Sequence, residues 1–118
     1  MTKKRILLVD DENAVRILLA SALEYDGYEV DIAENGTQAA LYLDKTSYDL
    51  VITDYMMPEM NGLDLTRMIR SKCPSLPVII ITGNESAYDI LQNEATACII
   101  KPFDLFELKD RIKEILGE

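Results

Sequence analysis

The chain contains no histidine and no tryptophan, and only 5 glycines, 4 prolines and 2 cysteines among its 118 residues. Without histidine there is no imidazole triad, no haem ligation through histidine and no donor for most catalytic zinc sites. No apolar run approaches the ~20 residues that span a bilayer. The basic start ahead of Ile6-Leu7-Leu8-Val9 faintly imitates a signal peptide, but Asp10-Asp11-Glu12 ends the apolar run after four residues. Cys73 and Cys98 stand 25 positions apart and form no CxxC pair. That spacing leaves a disulfide open but suits buried free thiols in a reducing cytosol better. Basic residues are scarce as well, 12 against 21 acidic ones, for a net charge of −9. Such a balance argues against direct contact with nucleic-acid phosphates or an anionic membrane surface. Low-complexity tracts, internal repeats and linkers are all missing.

What is present suits one globular domain over residues 1–118, with an ordinary 48% apolar content. Five β-rich apolar runs recur: Arg5–Val9, Tyr28–Ile32, Leu50–Thr53, Val78–Ile81 and Ala97–Ile100. Four are almost continuously apolar, as in strands covered on both faces, while the second alternates and reads as an edge strand. Helical patterns separate them. Val15, Leu18, Leu19, Ala22 and Leu23 follow helical spacing up to a stop at Gly27. Further helices are predicted near Thr37–Leu43, over Gly62–Ser71, near Glu85–Glu94, and along Leu105, Leu108, Ile112 and Ile115. Strand–helix alternation with tight loops means parallel strands joined by right-handed crossovers. Five units are too few for an eight-fold barrel, so an open α/β sheet with helices on both faces remains.

In such a sheet ligands bind in the crevice at the carboxyl ends of the strands. The residues expected there are Asp10 and Asp11 after the first strand, Asp54 after the third, Thr82 after the fourth and Lys101 after the fifth. Three carboxylates so gathered repel one another and suit a hard divalent cation such as Mg²⁺. Lys101 brings a compact positive charge able to meet an anion, and Thr82 a hydroxyl donor. A carboxylate nucleophile, a metal, a lysine and a hydroxyl together make a phosphoryl-transfer site.

At these residues the sequence resembles a response-regulator receiver domain of two-component signalling. The segments that carry the resemblance are Ile6-Leu7-Leu8-Val9-Asp10-Asp11-Glu12, Asp54-Tyr55-Met56-Met57-Pro58-Glu59-Met60-Asn61-Gly62, Ile81-Thr82-Gly83 and Lys101-Pro102-Phe103. Each alone is weak; all four in order are specific. The resemblance implies a flavodoxin-like (βα)5 sheet with strand order 2-1-3-4-5. It implies Asp54 as phospho-acceptor, with Asp10, Asp11, Asp54 and the backbone carbonyl of Met56 holding Mg²⁺, or Mn²⁺ as a substitute. Thr82 would bond the phosphoryl group and shift towards it, and Lys101 would pair with a phosphate oxygen. The donor would be a phosphohistidine on a histidine kinase or phosphotransfer domain, which fits a chain with no histidine of its own. A downstream protein or an attached output domain would read the signal in the cytoplasm. The protein would catalyse its own phosphorylation and assist hydrolysis rather than turn over as a conventional enzyme. Lys101–Pro102 would be a cis bond.

Two departures from that family stand out. Cys98 occupies the position of the aromatic residue that usually couples to the threonine, leaving Thr82 and Cys98 as the switch pair. Thr82 and Lys101 are only 19 positions apart, so the fourth helix or its flanking loops must be trimmed. Rival functions are weighed on single residues. A phosphatase of the haloacid-dehalogenase type needs a second aspartate two positions after the nucleophile, where this chain has Met56. A flavodoxin-like electron carrier needs a phosphate loop after the first strand, where Asp10-Asp11 would repel FMN. A receiver-like interaction module free of phosphorylation is the alternative that Cys98 and the short fourth helix keep open. Gly62 reads as a helix-start glycine, and Met56, Met57 and Met60 as loop or core packing rather than sulfur ligands.

Overall fold

Apolar runs that stay apolar on consecutive residues can only be buried on both faces, and four of the five strands do so. The computed structural model describes residues 3–118, so Met1 and Thr2, the first residues of the basic start, lie outside the described residues. The strands are β1 (Arg5–Val9), β2 (Glu29–Ala33), β3 (Leu50–Asp54), β4 (Val78–Thr82) and β5 (Ala97–Ile100). They form one parallel sheet in the order β2-β1-β3-β4-β5. The helices are α1 (Asn13–Tyr25), α2 (Gly36–Lys45), α3 (Gly62–Lys72), α4 (Tyr88–Glu94) and α5 (Leu105–Leu116). The alternating run is an edge strand as expected. The continuously apolar β5 closes the opposite edge and is nonetheless mostly buried.

Two apolar layers hold the sheet. On one face Ile6, Leu8, Ile52 and Ile79 meet Leu19 and Leu23 of α1 and Leu108 and Ile112 of α5. On the other, Leu7, Val9, Val51 and Ile80 meet Ala39 of α2, Leu65 and Ile69 of α3 and Leu91 of α4. Alternate residues of one strand thus serve opposite layers, and helices cover both faces.

Local signals set the ends. After α1, Gly27 takes φ +96°, a left-handed turn that favours glycine. Asn61 starts α3 through a reciprocal cap: its side chain accepts from the Asp64 N–H at 2.9 Å, and Asp64 accepts from the Asn61 N–H at 3.3 Å. Asp104 caps α5 by accepting from the Phe106 N–H at 2.8 Å.

Several boundaries move. β3 and β4 run one residue further than apolar content suggests, because Asp54 and Thr82 still take part in the ladder opposite Ile81 and Ile100. These two residues close their strands rather than follow them. β2 is displaced by one residue to Glu29–Ala33, with Tyr28 buried ahead of it. The fourth helical region divides into a 3₁₀ turn at Glu85–Ala87 and the seven-residue α4. Asn84 causes the division by accepting from the Ser86 and Ala87 N–H groups, which closes a tight turn first.

Candidate functional site

Strand register alone brings the polar residues together. Val9 pairs with Thr53, so Asp10 and Asp54 leave neighbouring strands at the same level. Beyond the regular ladder, the Tyr55 N–H donates to the Ile81 carbonyl at 2.8 Å and the Lys101 N–H to the Thr82 carbonyl at 2.7 Å. These bonds keep the ends of β3, β4 and β5 flush, and the site sits on that rim.

Carboxylate oxygens of Asp10, Asp11 and Asp54 all lie within 4.8 Å of one another. Asp10 and Asp54 are buried, and Asp11 is exposed. The Asp10 carboxylate accepts from the Glu12 N–H at 2.8 Å, and its own N–H donates to the Ala33 carbonyl at 3.2 Å. The Asp54 carboxylate accepts from the Tyr55 N–H at 3.1 Å, and Lys101 Nζ lies 3.3 Å from the same oxygen.

The electrostatics are those of an acidic pocket with one cation in reach. Burial, reinforced by the nearby Asp54 charge, pushes the Asp10 carboxyl from 3.8 up to about 6. Burial likewise raises Asp54, against the opposing pull of Lys101. Carboxyls so close, two of them buried and resisting ionisation, are what a hard divalent cation relieves. The residues therefore fit Mg²⁺.

Thr82 is fully buried, and its hydroxyl oxygen accepts from the Asn84 N–H at 2.9 Å. The Lys101–Pro102 bond is cis, as the resemblance implies. Cys98 lies two residues before Ile100 on β5, buried against the layer that holds Leu91 and Ala95. Both cysteines are free, Cys98 buried and Cys73 only half-buried, so the expectation of two buried thiols holds for one of them. Of the methionines, Met57 is buried, Met60 is partly buried against the same apolar layer, and Met56 is 64% exposed.

Two features escape sequence reading. Gly62 begins α3, and its N–H donates to the Tyr55 carbonyl at 2.8 Å. A Cβ at this position would sit 2.5 Å from the Asp54 carbonyl oxygen. The glycine is thus required by close backbone approach behind Asp54, a role that a helix-start reading does not capture. Glu59 adopts φ +69° in the β3–α3 loop, a left-handed conformation uncommon for a non-glycine residue.

Known proteins align with this architecture along nearly its whole length. The sequence model described as "Response regulator receiver domain" matches residues 6–113. The transcriptional regulatory protein TrcR of Mycobacterium tuberculosis is 36% identical over 115 residues, covering 95% of this chain and 45% of that protein. The uncharacterized transcriptional regulatory protein YkoG of Bacillus subtilis is 37% identical over 121 residues, covering all of this chain and 53% of that protein. The chain therefore spans about half the length of the curated relatives it matches. Among solved structures, response regulator TrrA of Thermotoga maritima in complex with Mg²⁺-BeF superposes with a TM-score of 0.89 at 39% identity, covering 95% of this chain and 98% of that one. A CheY-like receiver domain from Methanospirillum hungatei superposes at 0.90 with 32% identity, covering 98% and 95%.

Proposed function

This chain belongs to the response-regulator receiver family, and on that premise we propose that Asp54 accepts a phosphoryl group from a phosphohistidine, switching the domain between two signalling states. The observation that carries the reading is the buried Asp54 carboxylate, with Lys101 at 3.3 Å on one oxygen and the Asp10 and Asp11 carboxylates alongside.

An Asp54 carboxylate oxygen attacks phosphorus; the P–N bond to the donor imidazole breaks and the imidazole keeps the electron pair and takes a proton. The product is an acyl phosphate on Asp54. Water later attacks phosphorus, releasing inorganic phosphate and restoring the carboxylate. In both directions the protein's part is to position groups and balance charge. Lys101 neutralises charge on a phosphoryl oxygen. Thr82 turns its hydroxyl from the Asn84 N–H towards the phosphoryl group, and the β4–α4 loop follows.

Asp10, Asp11, Asp54 and the Met56 carbonyl would hold Mg²⁺, which lowers the charge the nucleophile and the phosphoryl group present to each other. The same oxygen donors accommodate Mn²⁺. Donors of the required kind are histidine kinases and phosphotransfer domains in the cytoplasm. The relatives named as transcriptional regulators suggest an output domain on the other half of such a protein. Among the described residues no helix is long and apolar enough to cross a membrane.

Incubation with a small phosphodonor and Mg²⁺, followed by intact mass measurement, tests the reading. One phosphoryl group should add to the wild-type chain, and none to an Asp54→Asn variant or after chelation of Mg²⁺. An unchanged mass gain in Asp54→Asn would sink the assignment, and label that persists without Mg²⁺ would remove the metal from it.

A further inference from the structure

The loop that carries two of the three carboxylates begins where ordinary helix chemistry is missing. α1 has Glu12 at its N-cap position with no side-chain cap, and no acidic residue in its first turn. β1 has ended at Val9, so the Asp10 carbonyl lies beyond the ladder. The Asp10 N–H still bonds the Ala33 carbonyl and the Asp10 carboxylate takes the Glu12 N–H, so the group that needs a further constraint is the peptide between Asp10 and Asp11.

Arg16 supplies one. It lies in the first turn of α1, yet it is only 8% exposed, unusual for arginine. Its Nη1 donates to the Asp10 carbonyl at 2.7 Å. Its Nη2 donates to Asn13 Oδ1 at 3.0 Å and lies 3.9 Å from Glu34 Oε1 in the β2–α2 loop. The guanidinium fork therefore spans the β1–α1 loop and braces it against the next loop along the rim. The carbonyl it grips belongs to the peptide that joins Asp10 to Asp11. Fixing that peptide plane fixes the direction in which the exposed Asp11 leaves the backbone, while the Glu12 N–H fixes the Asp10 carboxylate.

We infer that Arg16 is a positioning residue for the divalent cation, holding the Asp10–Asp11 peptide so that both carboxylates face the site. The inference rests on the metal reading above. Arg16 does not reach the ion; it orders the groups that do, as outer partners of metal ligands commonly do.

The test is Mg²⁺ titration by calorimetry on the full chain, with metal-free thermal unfolding followed by circular dichroism in parallel. Arg16→Met should raise the Mg²⁺ dissociation constant about tenfold. Arg16→Lys, which keeps one donor for the Asp10 carbonyl, should recover most of that loss. Leu23→Ala, which opens the core beneath the same helix away from the loop, should lower metal-free stability and leave the dissociation constant unchanged. An unaltered constant in folded Arg16→Met, or an equal rise in Leu23→Ala, overturns the proposal. If Arg16→Met does not fold, Asn13→Ala decides, because it frees one edge of the guanidinium while leaving Arg16 in place; wild-type affinity there also overturns it. A wild-type chain that fails to bind Mg²⁺ defeats the metal reading itself, whereas wild-type binding with an indifferent Arg16→Met defeats only the positioning role.

Discussion

Around β1 and β3 the Asp10 and Asp54 groups are each held by more than one polar contact, whereas on β4 and β5 the Thr82 and Cys98 side chains are held by fewer. On the first side, Asp10 is fixed through its N–H, its carbonyl and its carboxylate, and Asp54 through Tyr55 and Lys101. On the second, the Thr82 hydroxyl oxygen accepts one N–H, from Asn84, Cys98 contributes only a small buried thiol to β5, and the helix between is seven residues long. The difference separates two tasks. Charge stabilisation at short range tolerates little misplacement, so the chemistry needs particular residues at particular distances. Reporting the charge needs only a segment with two arrangements of similar energy, which many packings supply.

Lys101 tests the tightly held side most severely. Its ammonium is the only cation paired with Asp54 among the described residues. In Lys101→Ala the rate of phosphoryl gain from a small phosphodonor should fall about 10²- to 10³-fold, the usual loss when one aimed charge is removed. Mg²⁺ affinity should not weaken, since the pocket becomes more negative. A rate within threefold of wild type would place the neutralising charge elsewhere.

Asp10 gives the next effect, and its sign is opposite to the usual carboxylate. Its folded-state value of about 6 lies above the ordinary 3.8, so the folded protein binds this proton more tightly than the unfolded chain does. Metal-free stability should therefore rise as pH falls from 7 through about 6 towards 4, by up to roughly 3 kcal/mol. Asp54 shifts in the same direction and adds to the slope. Mg²⁺ competes with these protons, so the stability it adds should shrink over the same interval. Chemical denaturation at pH 5 and 7.5 checks this. Asp10→Asn should flatten the slope and be more stable than wild type at pH 7.5 without metal; equal slopes in both chains would refute the cause given.

Gly62→Ala follows. The added Cβ would meet backbone atoms, the Asp54 carbonyl oxygen at 2.5 Å and the Tyr55 Cα at 3.0 Å, rather than a side chain that can swing away. About 1–3 kcal/mol of stability should be lost, as in overpacked cores, with slower labelling of Asp54 because its backbone must shift. An unchanged urea midpoint would mean that the loop has room that this contact denies.

The legible parts of this molecule are those where one property of a residue decides its place. Continuous apolar runs place β1, β3, β4 and β5, and the position past each run brings Asp10, Asp11, Asp54, Thr82 and Lys101 to one rim. Less legible are residues whose role depends on distant backbone. Asp54 and Thr82 lie inside the ladder because neighbouring strands continue, which their polarity hides. Arg16 sits among helical spacings like any solvated arginine, and its burial depends on where β1 ends and where the β2–α2 loop passes. Gly62 looks like any helix start until the chain behind Asp54 comes against it. In each case the missing information is a long-range contact, which local periodicity does not contain.

Cys98→Ala should have the smallest effect, and it tests whether the two sides are separable. The thiol is buried at 6% exposure in the layer that contains Leu91 and Ala95, and burial pushes its pKa upward. It is therefore uncharged near neutral pH and adds no field to the acidic pocket. Removing its sulfur leaves a small void and should cost about 1 kcal/mol, the lower end for core truncations. The rate of phosphoryl gain on Asp54 and the Mg²⁺ dissociation constant should stay within twofold of wild type, because none of the hydrogen bonds and ion pairs that hold the carboxylates involves Cys98. Melting temperature and labelling rate measured on one preparation make the comparison internal. A labelling rate reduced several-fold, with stability lowered only slightly, would tie packing on β5 directly to the chemistry on β3 and end the separation between them.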